Sequence, residues 1–168
     1  TLEGIVVAII LSLLGLASQE ARANLYVVGR KRGADVLRPL SQEHPDDETF
    51  PGLLILRPEG RIFFFNAGEY GERILALAEE YQPRVILLDM SRVPDIEYSA
   101  LQALMEGERR ATERGLDLWM AALNPGVLEV VRNAGLADRL GRDRLLFNVR
   151  LAIQRYQALP PVAGPEAG

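Results

Sequence analysis

The side chains with the most chemistry to offer lie close together. Residues 85–101 read VILLDMSRVPDIEYSAL. Asp89 closes an apolar run, Ser91 follows, Asp95 and Glu97 stand in the loop beyond, and Ser99 opens a helical pattern. Such carboxylates could hold a metal or exchange protons with a substrate. Acids at strand ends and in loops are more commonly solvated turn residues, and we prefer that reading. Ser99 has two readings that can coexist. It can cap a helix, with Gln102 completing a capping box. It can also accept a phosphate, which free amides and the helix dipole would favour and the nearby Asp95 and Glu97 would oppose.

Other reactive patterns are missing. GEYGER (68–73) has two glycines but lacks the Lys-Ser/Thr pair of a phosphate-binding loop. No Gly-x-Ser-x-Gly elbow occurs, and the chain has no cysteine. The one histidine, His44, sits beside Pro45 in a polar stretch, so a Ser-His dyad is not expected. We expect no catalysis, no cofactor and no resident metal.

The bulk composition fits a folded domain. Of 168 residues, 48% are hydrophobic and 25% charged, which supports a real core. The net charge of −4 is too mild to suggest nucleic acid as a partner. Residues 4–17, GIVVAIILSLLGLA, contain no charge. The run is shorter than the roughly 20 residues a spanning helix needs. It reads either as the last part of a transmembrane helix or as a buried apolar helix. The first is favoured, because Arg22, Arg30, Lys31 and Arg32 follow closely, as on a cytoplasmic flank.

The elements that must position the loop follow from periodicity. Residues 1–20 are expected as the helix end, and 21–50 as a linker with a short strand at 25–28. A compact domain spans 51–157, and 158–168 form a mobile, Pro/Gly-rich tail. LLILR (53–57) and RIFFF (61–65) predict a hairpin turning at PEG (58–60). Asn66 is expected to cap a helix to Tyr81, with Glu69 as its capping-box partner and Ile74, Leu77, Ala78 and Tyr81 facing inward. RVILLDM (84–90) is apolar on both faces and predicts a central strand covered on both sides. A helix over 98–114 ends at Gly115, a strand spans 116–123, and Asn124-Pro125 starts a helix that Gly135 stops. A short strand at 144–147 and a helix at 148–157 complete the chain. The fold class is α/β, with a mixed, mostly parallel sheet of about five strands and four to five helices.

These segments resemble a STAS domain. The resemblance rests on PGLLILRPEGRIFFFNA, LLDMSRVPDIEYSAL, GLDLWMAALNPGVLEVVRNAGLADRLG and LFNVRLAIQ, across residues 51–157. The upstream half is similar to the passage from the final membrane helix of SulP-type anion transporters into their STAS domain. That implies a non-catalytic regulatory domain on the cytoplasmic face of a bacterial inner membrane. Its partners would be the transmembrane domain of the same transporter, a second copy in a homodimer, and a regulatory protein. The implied cargo is sulfate, bicarbonate or a dicarboxylate. The alternative is a soluble anti-sigma factor antagonist. In those proteins the loop reads Asp-x-Ser-x-Val, then Asp-Ser-Ser-Gly-Leu, with the last Ser phosphorylated. Here Asp89, Ser91 and Val93 match the first part, Glu97 replaces the Asp, Tyr98 the first Ser, and Ser99 falls on the phosphoacceptor. Ala100 replaces the Gly. The resemblance therefore makes Asp89, Ser91, Glu97 and Ser99 the candidate switch-loop residues.

Overall fold

Three runs of the sequence are apolar at nearly every position, and each becomes a strand buried on both faces. The computed structural model describes residues 2–20 and 22–160. The elements are α1 (Leu2–Glu20), β1 (Asn24–Arg30), β2 (Leu37–Pro39), β3 (Leu53–Glu59), α2 (Phe64–Tyr81) and β4 (Val85–Asp89). A 3-10 turn (Met90–Arg92), α3 (Tyr98–Glu113), β5 (Asp117–Ala121), α4 (Pro125–Asn133), α5 (Leu136–Arg144), β6 (Leu145–Leu146) and α6 (Val149–Gln157) follow. The strands form one sheet in the order β2-β1-β3-β4-β5-β6. β3 to β6 pair in parallel, and β1 is antiparallel to both of its neighbours. The mixed, mostly parallel class is as expected, with one strand more than expected and six α-helices among the described residues.

Alternation along the strands divides the core in two. Leu54, Leu56, Ile86, Leu88, Leu118 and Met120 point to one face, where Leu101, Val127, Val131 and Leu136 of three helices meet them. Leu53, Ile55, Val85, Leu87, Trp119 and Ala121 point to the other, where Val149, Ala152 and Ile153 of α6 pack.

Several expectations are corrected. The antiparallel partner of β3 is β1, not residues 61–65, and there is no hairpin at 58–60. Of the run 61–65 only Ile62 is buried, and it makes a single bridge to Ile96. Phe64 and Phe65 are 67% and 79% exposed, so the aromatic run is surface rather than core. α2 starts three residues earlier than expected, with Phe63 at its cap and Asn66 inside its first turn. The buried Asn66 amide accepts from the Phe63 N–H at 2.9 Å and donates to the Arg61 carbonyl at 2.9 Å. Glu69 does not complete a box; it accepts from the Ala23 N–H at 3.3 Å. Tyr81, expected inward, is exposed.

β1 extends the short strand expected at 25–28, and β2 adds a second strand in the same segment. α5 was not expected at all. Its sequence LADRLGRDR is polar, and Leu136 and Leu140, with Ala137 packed beside them, carry it into the core. After α6, Arg84 donates to the Pro160 carbonyl at 2.8 Å and Leu159 packs against α6's side of the sheet. The rest of the tail expected as mobile, 161–168, lies outside the described residues.

α1 is apolar all round. Ile5, Val6, Val7, Ile9, Ile10, Leu11, Leu13 and Leu14 are exposed, and consecutive positions on a helix cover every side. Among the described residues no helix is long and apolar enough to cross a membrane.

Candidate functional site

Loops after parallel strands collect at the carboxyl edge of the sheet, where α/β folds form their sites. Here the loop 90–97 after β4 lies between two others. On one side, the chain leaving β3 runs beside it. Gly60 N donates to Arg92 O (3.0 Å), Ile62 N to Asp95 O (3.1 Å), and Glu97 N to Ile62 O (2.8 Å). On the other side, Asn124 caps α4 through Oδ1, which accepts from Val127 N at 2.9 Å. Its Nδ2 donates to the carbonyls of Val93 (2.9 Å) and Pro94 (3.1 Å). Val93 and Ile96 are buried beneath these contacts, so the loop is pinned to the core as well.

The structure does not bring the predicted carboxylates together. Asp89 is 1% exposed, and its Oδ2 accepts from Arg57 Nε at 2.8 Å. Its Oδ1 accepts from the Ser91 N–H at 3.1 Å and so caps the 3-10 turn. Arg57 also donates to the Leu37 carbonyl, at 3.4 and 3.5 Å, tying β2 to the centre of the sheet. Asp95 pairs with Arg61 at 2.8 Å on the surface. Glu97 accepts from the Phe64 N–H at 3.0 Å, so a residue at the start of α3 holds the first turn of α2. Among the described residues no group of three acids or histidines is placed to hold a metal.

Ser99 is not the helix cap. Glu97 takes that position with an extended backbone, and Ser99 is the second residue of α3. Its hydroxyl is exposed and donates to Glu97 Oε2 at 3.4 Å. The expected capping box with Gln102 is therefore replaced by a chain of contacts from Ser99 through Glu97 to Phe64. Ser91 is also exposed, with its backbone in the turn that Asp89 holds.

Two features escaped the sequence. Arg57 is the partner of Asp89, and the clue was available: LLILR and VILLD are buried strands ending in opposite charges at equivalent positions. The buried Glu108 of α3 stands beside Glu106, Arg109 and Arg110 in the sequence, and nothing local sets it apart. It accepts from Arg139 at 2.5 Å and lies 3.5 Å from Arg144, which ties α3 to α5.

Beside the loop, α2 grips the start of β1. Arg73 donates to the carbonyls of Ala23 and, at 3.1 Å, Leu25. Tyr70 donates to the carbonyls of Glu59 (3.0 Å) and Asn24 (3.4 Å), and burial pushes its phenol above the ordinary value.

Comparison with known proteins agrees with this architecture. The family model for the STAS domain matches residues 44–152, and the chain belongs to that family. High affinity sulfate transporter 2 of Stylosanthes hamata is 30% identical over 163 residues, covering 91% of this chain and 24% of that protein. A probable sulfate transporter of Mycobacterium tuberculosis is 25% identical over 156 residues, covering 92% of this chain and 28% of that one. The chain thus spans about a quarter of the length of the transporters it matches. Among solved structures, the murine Slc26a9 anion transporter in its inward-facing state aligns with a TM-score of 0.81 at 16% identity. That match covers 94% of this chain and 26% of that one. The anti-sigma factor antagonist SpoIIAA aligns with a TM-score of 0.55 at 13% identity, covering 68% of this chain and 96% of its own. At these identities the two structures speak for the fold alone.

Proposed function

We propose that this chain is the regulatory STAS domain of a SulP-type secondary anion transporter, lying at the cytoplasmic face of the membrane. In this reading residues 1–20 are the end of the last membrane helix, 21–50 the connection, which also lends β1 and β2 to the sheet, and 51–157 the rest of the docking domain. The observation that carries it is the reach of the similarity. The alignments to sulfate transporters take in about nine-tenths of the chain, so they extend well upstream of residue 44. The antagonist fold accounts for about two-thirds. An apolar helix exposed on every side is what a membrane-borne segment would present.

The domain acts by contact rather than by chemistry. Support comes from the loop itself, where each acid is engaged by a different partner and none is left poised in a cleft. Its partners would be the membrane domain of its own chain, a second transporter copy and a regulatory protein. The cargo would be sulfate or a related anion such as bicarbonate or a dicarboxylate. Ser99 is the switch residue of this scheme. A phosphate there would face the Glu97 carboxylate, repel it, and free the Phe64 amide.

The test is uptake of radiolabelled sulfate by transport-deficient cells given the whole reading frame. Uptake that falls when 51–157 are deleted supports the proposal. A reading frame without membrane helices, or one that moves no anion, defeats it. Mass spectrometry of the native protein tests Ser99 directly.

A further inference from the structure

The register of the first strand pair fixes which edge of the domain lies nearest α1. Asn24, the first residue of β1, pairs with Glu59, the last residue of β3. The chain therefore enters the sheet at the carboxyl edge of the parallel strands, the edge that carries the loop 90–97. Only three residues separate Glu20 from Asn24, so α1 ends within four Cα steps, about 14 Å, of that edge. α2 runs close by. Glu69 touches Ala23, and Phe64 lies five residues earlier, about 7.5 Å along the helix.

The most exposed aromatics, Phe64, Phe65, Tyr98 and Phe147, lie at this edge. Phe64 and Phe65 stack edge to face at 5.6 Å, and Tyr98 adjoins Glu97, which holds the Phe64 amide. Tyr98 is 60% exposed. Phe147, directly after β6, stands on the same edge farther along the sheet. Large apolar groups left in water mark a surface that is covered in use. The charges agree. Asp95 is matched by Arg61 and Glu97 by an amide, while Arg22 and Arg92 are exposed on the same side. Tyrosine and nearby cations settle at a bilayer's headgroup level, and phenylalanine rings at the boundary with the acyl chains just beneath.

We propose that Phe64, Phe65 and Tyr98 form a rim that rests in the interfacial layer of an anionic lipid bilayer, beside the point where α1 emerges. This deepens the proposed function and rests on α1 being membrane-embedded. Tyr81, exposed at the far end of α2, should stay in water.

The chain can be produced with fluorinated phenylalanine and tyrosine, five of each. It is then placed in nanodiscs of phosphatidylcholine and phosphatidylglycerol, with a nitroxide high on a lipid acyl chain. The absence of native cysteine allows a single reporter at Val7→Cys on α1. The expected result is that the fluorine lines of residues 64, 65 and 98 at least double in width, as the reporter responds, while Tyr81 is unchanged. If the reporter responds and the rim does not, α1 is in the bilayer and the rim faces protein, which overturns the proposal. If the reporter itself does not respond, the membrane reading of α1 fails and the proposal falls with it.

Discussion

Arg57 and Asp89 stand one step beyond the last paired residues of adjacent parallel strands, Leu56 and Leu88, and meet at 2.8 Å with both side chains almost fully enclosed. Removing one partner leaves a buried charge without compensation. Arg57→Ala or Asp89→Ala should each lower stability by about 3–5 kcal/mol in urea titration. The pair Arg57→Met with Asp89→Leu should lose much less than the sum. Additive losses would show that the two residues act separately.

Glu97, rather than Ser99, is the residue that fastens α3 to α2. Glu97→Ala should cost about 1 kcal/mol, the usual worth of such a hydrogen bond. Ser99→Ala should stay within about 0.5 kcal/mol, as for an exposed side chain. Chemical denaturation of both variants decides the matter. A larger loss from Ser99→Ala would restore that serine as the cap.

Gly52 has φ +77°, and an added Cβ would lie 2.5 Å from Tyr156 Oη. That hydroxyl donates to the Pro51 carbonyl at 2.7 Å. Gly52→Ala should cost about 2 kcal/mol or more from strain and crowding together. Tyr156→Phe in the same chain should recover the crowding part but not the backbone part. Thermal unfolding of the single and double variants separates the two.

Glu106 accepts from Arg109 and Arg110, and these guanidinium groups hold its carboxyl down to about 2, against an ordinary value of 4.5. A folded-state value below the unfolded one gives stability that is present above pH 4.5 and is lost as pH falls toward 2. Glu106→Gln should therefore flatten the acid limb of a stability-against-pH curve over that range. The same substitution should lower stability at neutral pH by the same small amount that it removes from the acid limb, small because the pair is on the surface.

The legible parts of the sequence were those where one force dominates. VILLD and LDLWMA are apolar on both faces, and only a central strand buries both. Asn124-Pro125 and Gly135 mark a helix whose ends are set locally, and both hold. The errors fall where tertiary contacts outweigh local pattern. FFF reads as a strand by composition, but Glu97 from another segment captures the Phe64 amide and the run becomes a helix start. Ser99 looks like a cap, but the bridge between Glu97 N and Ile62 O fixes the extended residue two positions earlier. At the candidate site the sequence suggests a cluster of acids, and the fold separates them. Asp89, Asp95 and Glu97 are neighbours in sequence with separate partners in space.

The placement of α6 bears on how the chain is made. Val149, Ala152, Ile153 and Tyr156 shield Trp119 and its neighbours, and Tyr156 reaches back 105 positions to Pro51. Those side chains leave the ribosome after every strand of the sheet. Until they do, half of the central sheet is wet, so a nascent chain stopped at residue 152 should behave as a sticky intermediate, and any trimmed version for the bench should run past Leu159.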